Sequence, residues 1–283
     1  YCSHITFNSI AQYEKFKNRL KESGKAVSAA IRINPEYSEV ETDLYNPCIP
    51  GSRLGMTADK FGEKLPEGIE GLHFHNLCEK DSYALERTLQ AIEKRFGHLL
   101  TQIKWLNMGG GHLMTREGYD HDHLVNLIKG LYNKYPNIKE IILEPGSAFA
   151  WRTGYLVSKV LDLVESGGKE VAILDCSVSA HMPDCIEMPY TAAVIGAKIS
   201  GDGPHVYKVG GLTCLAGDYM GDYSFPKPLS PGDTIVFEDM MHYTMVKTTT
   251  FNGVNLPNIG IWTRENKFKL VKSFGYEEYK SRI

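Results

Sequence analysis

Residues 103–146, IKWLNMGGGHLMTREGYDHDHLVNLIKGLYNKYPNIKEIILEPG, contain one complete strand–helix–strand repeat, and their reading decides the fold. The apolar stretch 103–108 reads as a buried strand that ends in Gly109-Gly110-Gly111. Leu124, Leu127, Ile128 and Leu131 follow at the spacing of a helix's inner stripe. The stretch 138–143 is a second strand, ending in Glu144-Pro145-Gly146. Strand–helix repeats with short connections imply a parallel sheet.

The same pattern extends upstream. Residues 68–75 (GIEGLHFH) read as a strand, and Asp81 and Ser82 offer N-caps to a helix that carries Leu85, Leu89, Ile92 and Phe96 inward. Residues 25–34 (KAVSAAIRIN) and 3–8 supply two more strand positions. After Trp151 the pattern changes. Segments 154–164, 171–175, 205–211, 234–239, 242–250 and 259–263 read as strands, separated by turns such as 166–169 (SGGK), 201–204 (GDGP) and 230–233 (SPGD). The expectation is an α/β chain with a parallel barrel-type domain over 1–153 and an antiparallel β domain over 154–283. A closed barrel takes eight strands and roughly 250 residues. Only about five strand positions precede residue 150, so two or three further repeats, roughly 60–100 residues, are expected upstream of Tyr1.

Composition narrows the function. The chain has 283 residues, 42% of them hydrophobic, and a net charge of -3, with a pI near 6.4. That balance argues against a nucleic-acid partner and a polybasic membrane patch. No apolar run approaches the roughly 20 residues of a membrane span. The opening YCSHITFNSI has neither the basic nor the apolar region of a signal peptide. The six cysteines (Cys2, Cys48, Cys78, Cys176, Cys185 and Cys214) stand singly, without a CxxC pair. That spacing argues against a disulfide framework or a zinc site and fits a reduced, cytoplasmic setting, with no metal expected.

Chemistry in parallel α/β folds collects where strands meet the loops that follow them. Three such ends here carry suggestive residues. His73-Phe74-His75 closes one strand, although a single histidine there is as often structural. Gly109-Gly110-Gly111 lets backbone N–H groups approach an anion, although glycine runs are also common in turns. Glu144 closes the third strand and could equally be a solvated carboxylate beside a turn. Recurrence on successive strands is more telling than any one of them.

Taken in order, Arg32, HFH (73–75), GGG (109–111), EPG (144–146), TCLAGD (213–218) and HYT (242–244) with TFNG (250–253) resemble the fold-type III pyridoxal-phosphate (PLP) decarboxylases. That group includes the ornithine, arginine and diaminopimelate decarboxylases. The segments GLHFHNLCE (71–79), KWLNMGGGH (104–112), AHMPDCIEMPY (180–190), TCLAGDYMGDY (213–223) and MHYTMVKTTTFNG (241–253) are most similar to its carboxynorspermidine branch. The resemblance implies an alanine-racemase-like TIM barrel followed by a C-terminal β domain. It also implies a cytoplasmic homodimer whose active sites are shared between subunits.

By the same resemblance, His75 stacks on the PLP ring and Glu144 pairs with the pyridine nitrogen. Gly109, Gly110, Gly111 and the Tyr243 hydroxyl would hold the phosphate, with Arg32 near the ring. Cys214 would protonate the reacting carbon of the partner subunit's substrate, where without the motif it would read as a small buried residue. Asp218 would bind the substrate's distal amine, and His181 and Asp184 of the branch-specific segment would line the site, the alternative being a surface loop. The Schiff-base lysine of the family has no counterpart here, since Lys25 opens a strand and Lys208 and Lys247 lie in the β-rich half; it is expected upstream of Tyr1. After His75 this chain reads Asn76-Leu77-Cys78, where relatives have Gly and Ser contacting phosphate, and after Gly146 it has Ser147 in place of an arginine, so the phosphate cup must differ. The activity implied is decarboxylation of carboxynorspermidine or carboxyspermidine to norspermidine or spermidine in polyamine biosynthesis. The rival readings are a decarboxylase of diaminopimelate or a related amino acid, and a catalytically dead binding protein.

Overall fold

A computed structural model describes residues 2–199 and 202–283. The turn expected at 201–204 therefore falls partly outside the described residues. The chain divides into two compact units, Tyr1–Phe149 and Ala150–Ile283.

The first unit is built on a five-stranded parallel sheet in sequential order: β1 (His4–Phe7), β2 (Ser28–Arg32), β3 (Ile69–His73), β4 (Trp105–Asn107) and β5 (Glu140–Ile142). The helices α1 (Ile10–Glu22), α2 (Ser82–Leu100) and α3 (His121–Lys134) connect strands, and α4 (Gly146–Ala150) follows β5. Of the two expected caps, Asp81 serves, its side chain accepting from the Ala84 N–H; α3 is capped by Asp120, which accepts from the His123 N–H and was not expected. On α2 the expected positions Leu85, Leu89, Ile92 and Phe96 are all buried. On α3, Leu124 and Leu131 are buried, while Leu127 and Ile128 pack from the margin of the core. Removing one such fully buried leucine, Leu85→Ala for instance, costs about 2–5 kcal/mol.

Strand register places the chemistry. Arg32 pairs with His73, His73 with Asn107, and Asn107 with Ile142. These residues form one row across the C-terminal ends of four strands. The loops that leave this row carry His75, Gly109 to Gly111 and Glu144.

The second unit holds a six-stranded sheet of β6 (Tyr155–Ser166), β7 (Lys169–Leu174), β8 (Lys198–Ile199), β9 (His205–Gly210), β10 (Tyr219–Phe225) and β11 (Thr234–Glu238), in the order β11-β6-β7-β9-β10-β8. A separate two-stranded ribbon pairs β12 (Ile259–Trp262) with β13 (Phe268–Lys272). The short helices α5 (Val178–His181), α6 (Asp184–Glu187), α7 (His242–Val246) and α8 (Tyr276–Lys280) lie between and after the strands. The β6–β7 hairpin turns at Gly167 and Gly168, both at positive φ, as a tight two-residue turn requires. Leu156, Val160, Leu174, Val209, Tyr223 and Phe237 fill the core.

Several features differ from the sequence expectation, β8 and β13 among them, which lie outside the expected strand segments. The β7–β9 pair is parallel within an otherwise antiparallel sheet. The segment 242–250 is not a strand; it begins with α7. Strand β10 was not expected, since Gly221 and Asp222 are poor strand formers. Gly221 sits at positive φ on a bulge, and Tyr223, two residues on, is fully buried.

Candidate active site

The strand ends of the first unit gather Arg32, His73, His75, Asn107, Glu144 and the three glycines. His73 is the last residue of β3 and is buried; burial pulls its pKa down to about 4, opposed by Glu144. His75 is also shifted down, first by burial and then by the Arg32 cation. Both imidazoles are therefore neutral at pH 7. The Gly110 N–H donates to His75 Nδ1 at 3.1 Å, which assigns the ring proton to Nε2 and fixes the ring's orientation. The Arg32 Nη2 donates to the His75 carbonyl at 3.1 Å. Burial lowers the Arg32 pKa from its usual value.

Glu144 is held from one side only. Asn107 Nδ2 donates to Oε1 at 2.7 Å, and His73 Nε2 lies 3.6 Å from Oε2. The Glu144 side chain is half exposed, at 50%. Its second oxygen thus has lone pairs open to a ligand. The Asn107 side chain also accepts from the Gly109 N–H at 2.8 Å, so one residue orders both the carboxylate and the glycine loop.

The glycine run is required by packing. Gly109 and Gly111 sit at positive φ, and a Cβ at any of the three positions would collide with the backbone of the neighbouring strand end: Phe74 O for Gly109, Glu144 O for Gly110 and Leu77 O for Gly111. The Gly109 and Gly110 N–H groups are already spent on Asn107 and His75. The run therefore packs three strand ends together, a use that its composition did not reveal.

The ligand atoms of His73, His75 and Glu144 lie within 4.8 Å of one another, a set with the chemistry to take a divalent cation as well as an organic cofactor. Asn107 was not singled out in the sequence, and His73 only as part of the His73-Phe74-His75 strand end. Their position at the C-terminal end of a parallel strand is the signal that could have found them.

In the second unit, Cys214 is exposed in the loop between β9 and β10. Tyr243 lies on α7, half exposed, with Lys247 Nζ 5.5 Å from its ring centre. The other three expected residues, Asp218, His181 and Asp184, are engaged with partners inside this unit. Asp218 is 4% exposed and takes donors on both oxygens: Ser177 Oγ at 3.0 Å and the Val178 N–H at 2.7 Å on Oδ1, Thr213 Oγ1 at 2.6 Å and the Thr213 N–H at 3.2 Å on Oδ2. His181 is buried and shifted down by burial; Nδ1 accepts from the Ser177 N–H and Nε2 donates to the Asn255 carbonyl. Asp184 is buried and pairs with Lys247 at 2.7 Å.

Residues 37–241 match the family model described as "Pyridoxal-dependent decarboxylase, C-terminal sheet domain". The chain belongs to the pyridoxal-dependent decarboxylases. Within this family it is 55% identical, over 99% of its own length and 72% of the relative's, to a carboxyaminopropylagmatine decarboxylase of Synechocystis sp.. It is 44% identical to the carboxynorspermidine/carboxyspermidine decarboxylase of Campylobacter jejuni, over 99% of this chain and 74% of that one. Its fold superposes with a TM-score of 0.89 and 43% identity on the Campylobacter jejuni carboxynorspermidine decarboxylase solved with norspermidine, covering 99% of this chain and 75% of that one. The chain thus spans about three quarters of the length of these relatives. A diaminopimelate decarboxylase of Helicobacter pylori, at 17% identity and a TM-score of 0.76, shares the fold. This decarboxylase is accordingly a PLP-dependent carboxy-lyase of fold-type III, an alanine-racemase-like barrel type with a C-terminal sheet domain. Its residues fit the cofactor: Glu144 offers an open carboxylate oxygen, and the oriented, neutral His75 ring lies on the same rim.

Proposed function

We propose that this chain decarboxylates a carboxylated polyamine, with carboxynorspermidine and carboxyspermidine as the first candidates. The observation that carries the reading is the carboxylate of Glu144, held by Asn107 with one oxygen left open beside two neutral histidines. When bound, PLP supplies a sink for the electron pair that the departing CO₂ leaves behind. Glu144 would keep the proton on the pyridine nitrogen, and His75 would stack on the ring. Arg32 would add positive charge at the rim. Of the glycine loop, Gly111 would face the phosphate, since the Gly109 and Gly110 N–H groups are bonded to Asn107 and His75, and the Tyr243 hydroxyl is a further candidate. Cys214, supplied by a second copy of the chain in a homodimer, would return a proton to the reacting carbon. A cytoplasmic location completes the reading. Among the described residues no helix is long and apolar enough to cross a membrane, in keeping with a small-molecule enzyme.

A second reading has its own support. Identity to the Synechocystis sp. relative is 55%, against 44% to the Campylobacter jejuni one, which favours carboxyaminopropylagmatine as the substrate. One assay separates these candidates. CO₂ release by the PLP-loaded enzyme is measured on carboxynorspermidine, carboxyspermidine, carboxyaminopropylagmatine and diaminopimelate. Preference for any of the first three supports the proposal and names the substrate. Turnover of diaminopimelate alone, or of none, overturns it.

A further inference from the structure

The segment Gly211–Asp218 leaves β9 and returns to β10 with Cys214 and Leu215 at its exposed tip. Asp218 closes this loop from beneath. Its Oδ2 takes the hydroxyl and the N–H of Thr213, immediately before Cys214. Its Oδ1 takes the Ser177 hydroxyl and the Val178 N–H, from the turn that follows β7. Backbone bonds from Gly211 N–H to the Asp218 carbonyl and from Asp218 N–H to the Leu215 carbonyl complete the closure. Gly211 has no room for a side chain, because a Cβ there would collide with the Asp218 carboxylate. Ser177 is itself fixed: its hydroxyl accepts from the Ala180 N–H, and its own N–H donates to His181. A carboxylate that accepts from two segments at once, with both oxygens engaged, serves to join them. It has no open lone pair directed at a substrate ammonium group.

We propose that Asp218 is a positioning residue: its carboxylate ties the Cys214 loop to the turn at Ser177, and so sets where the Cys214 thiol is held, without touching the substrate. The inference rests on the reading of Cys214 as the proton donor. It predicts that damage to the clamp slows turnover while leaving substrate affinity in place, since the substrate's cationic tail loses no partner.

The test uses the PLP-loaded enzyme and the variants Asp218→Asn, Thr213→Val and Thr213→Ser. Asparagine puts an NH₂ among groups that are all donors, valine removes one hydroxyl donor, and serine restores it. Two quantities are read: the kcat and KM for the carboxylated triamine, and the iodoacetamide alkylation rate of Cys214 by peptide mass spectrometry, with exposed Cys2 as the internal reference. The expected result for Asp218→Asn is a kcat lower by about ten-fold or more with KM within about two-fold. Cys214 alkylation should change by about three-fold or more against Cys2, as an ordered loop released from its tether does. Thr213→Val should show the same pattern more weakly, and Thr213→Ser should restore it. Should Asp218→Asn fail to fold, the valine and serine pair carries the test. A KM rise of about ten-fold with kcat retained would mean that the carboxylate binds the substrate directly, and would overturn the proposal. Unchanged kcat and unchanged alkylation would overturn it as well. Altered alkylation with unchanged kcat would uphold the clamp and remove Cys214 from the reaction.

Discussion

Glu144 and Asp218 are both carboxylates at the ends of strand-bearing segments, and the chain uses them in opposite ways. Glu144 is half exposed, with one oxygen bonded to Asn107 and the other open. Asp218 is 4% exposed, with both oxygens taken by hydroxyls and backbone N–H groups of two loops. The first is poised to receive a charge from outside; the second is already satisfied. An acidic residue in a functional motif therefore acquires its role from the number of donors that the fold aims at it, and residue type alone does not distinguish the two.

The largest expected effect comes from breaking the open member of the pair. Glu144→Gln keeps the shape and an acceptor for Asn107 but removes the charge, and kcat for CO₂ release should fall by about 100- to 1000-fold with the fold intact. A fall of less than about ten-fold would remove Glu144 from the chemistry.

The satisfied member should fail in stability as well as in turnover. Asp218→Ala leaves buried hydroxyl and N–H donors without partners, a loss of about 3 kcal/mol, whereas Glu144→Ala should cost less than about 1 kcal/mol. Urea midpoints of the two variants check this. Equal shifts would erase the distinction between them.

Acid should act on the first unit through His73. Its pKa is about 4 in the fold, against 6.5 for the free side chain. Between those values the unfolded chain binds a proton that the folded chain does not, so stability is complete above pH 6.5 and falls as pH drops towards 4. The loss should reach roughly 2–3 kcal/mol. His73→Asn should flatten that slope in a pH series of urea midpoints; an unchanged slope would assign the acid sensitivity to other groups. The smallest effect concerns Asn107. Asn107→Ala frees Glu144 Oε1 and the Gly109 N–H, and kcat should fall by about ten-fold, less than for Glu144→Gln. A larger fall than Glu144→Gln would mean that the glycine loop matters more than the carboxylate.

The contrast also explains what could be read in the sequence. The strands and helices of the first unit were legible because burial on both faces of a parallel sheet leaves apolar runs, and Asp81 marks a helix start. The rim residues His75 and Glu144 were legible because a polar residue closing an apolar strand stands out. His181, Asp184 and Asp218 were read as substrate contacts from their motif, yet each has a partner that lies far away in sequence: Asn255, Lys247 and Ser177. Nothing local in the sequence marks such partnerships. The parallel β7–β9 pair is hidden for the same reason, since register between distant strands leaves no local mark.

The row Arg32, His73, Asn107 and Ile142 ties chemistry to folding accuracy. A shift of β3 by one residue would bring Phe74 to the place of His73 and carry the imidazole to the opposite face of the sheet. Phe74 is fully buried, so the slipped strand would expose a benzyl group and drive a polar ring into oil-like surroundings. The same apolar packing that chooses the register thus acts as a proofreader for the rim, because a chain that folds wrongly enough to misplace its histidine also forfeits the burial that would keep it folded.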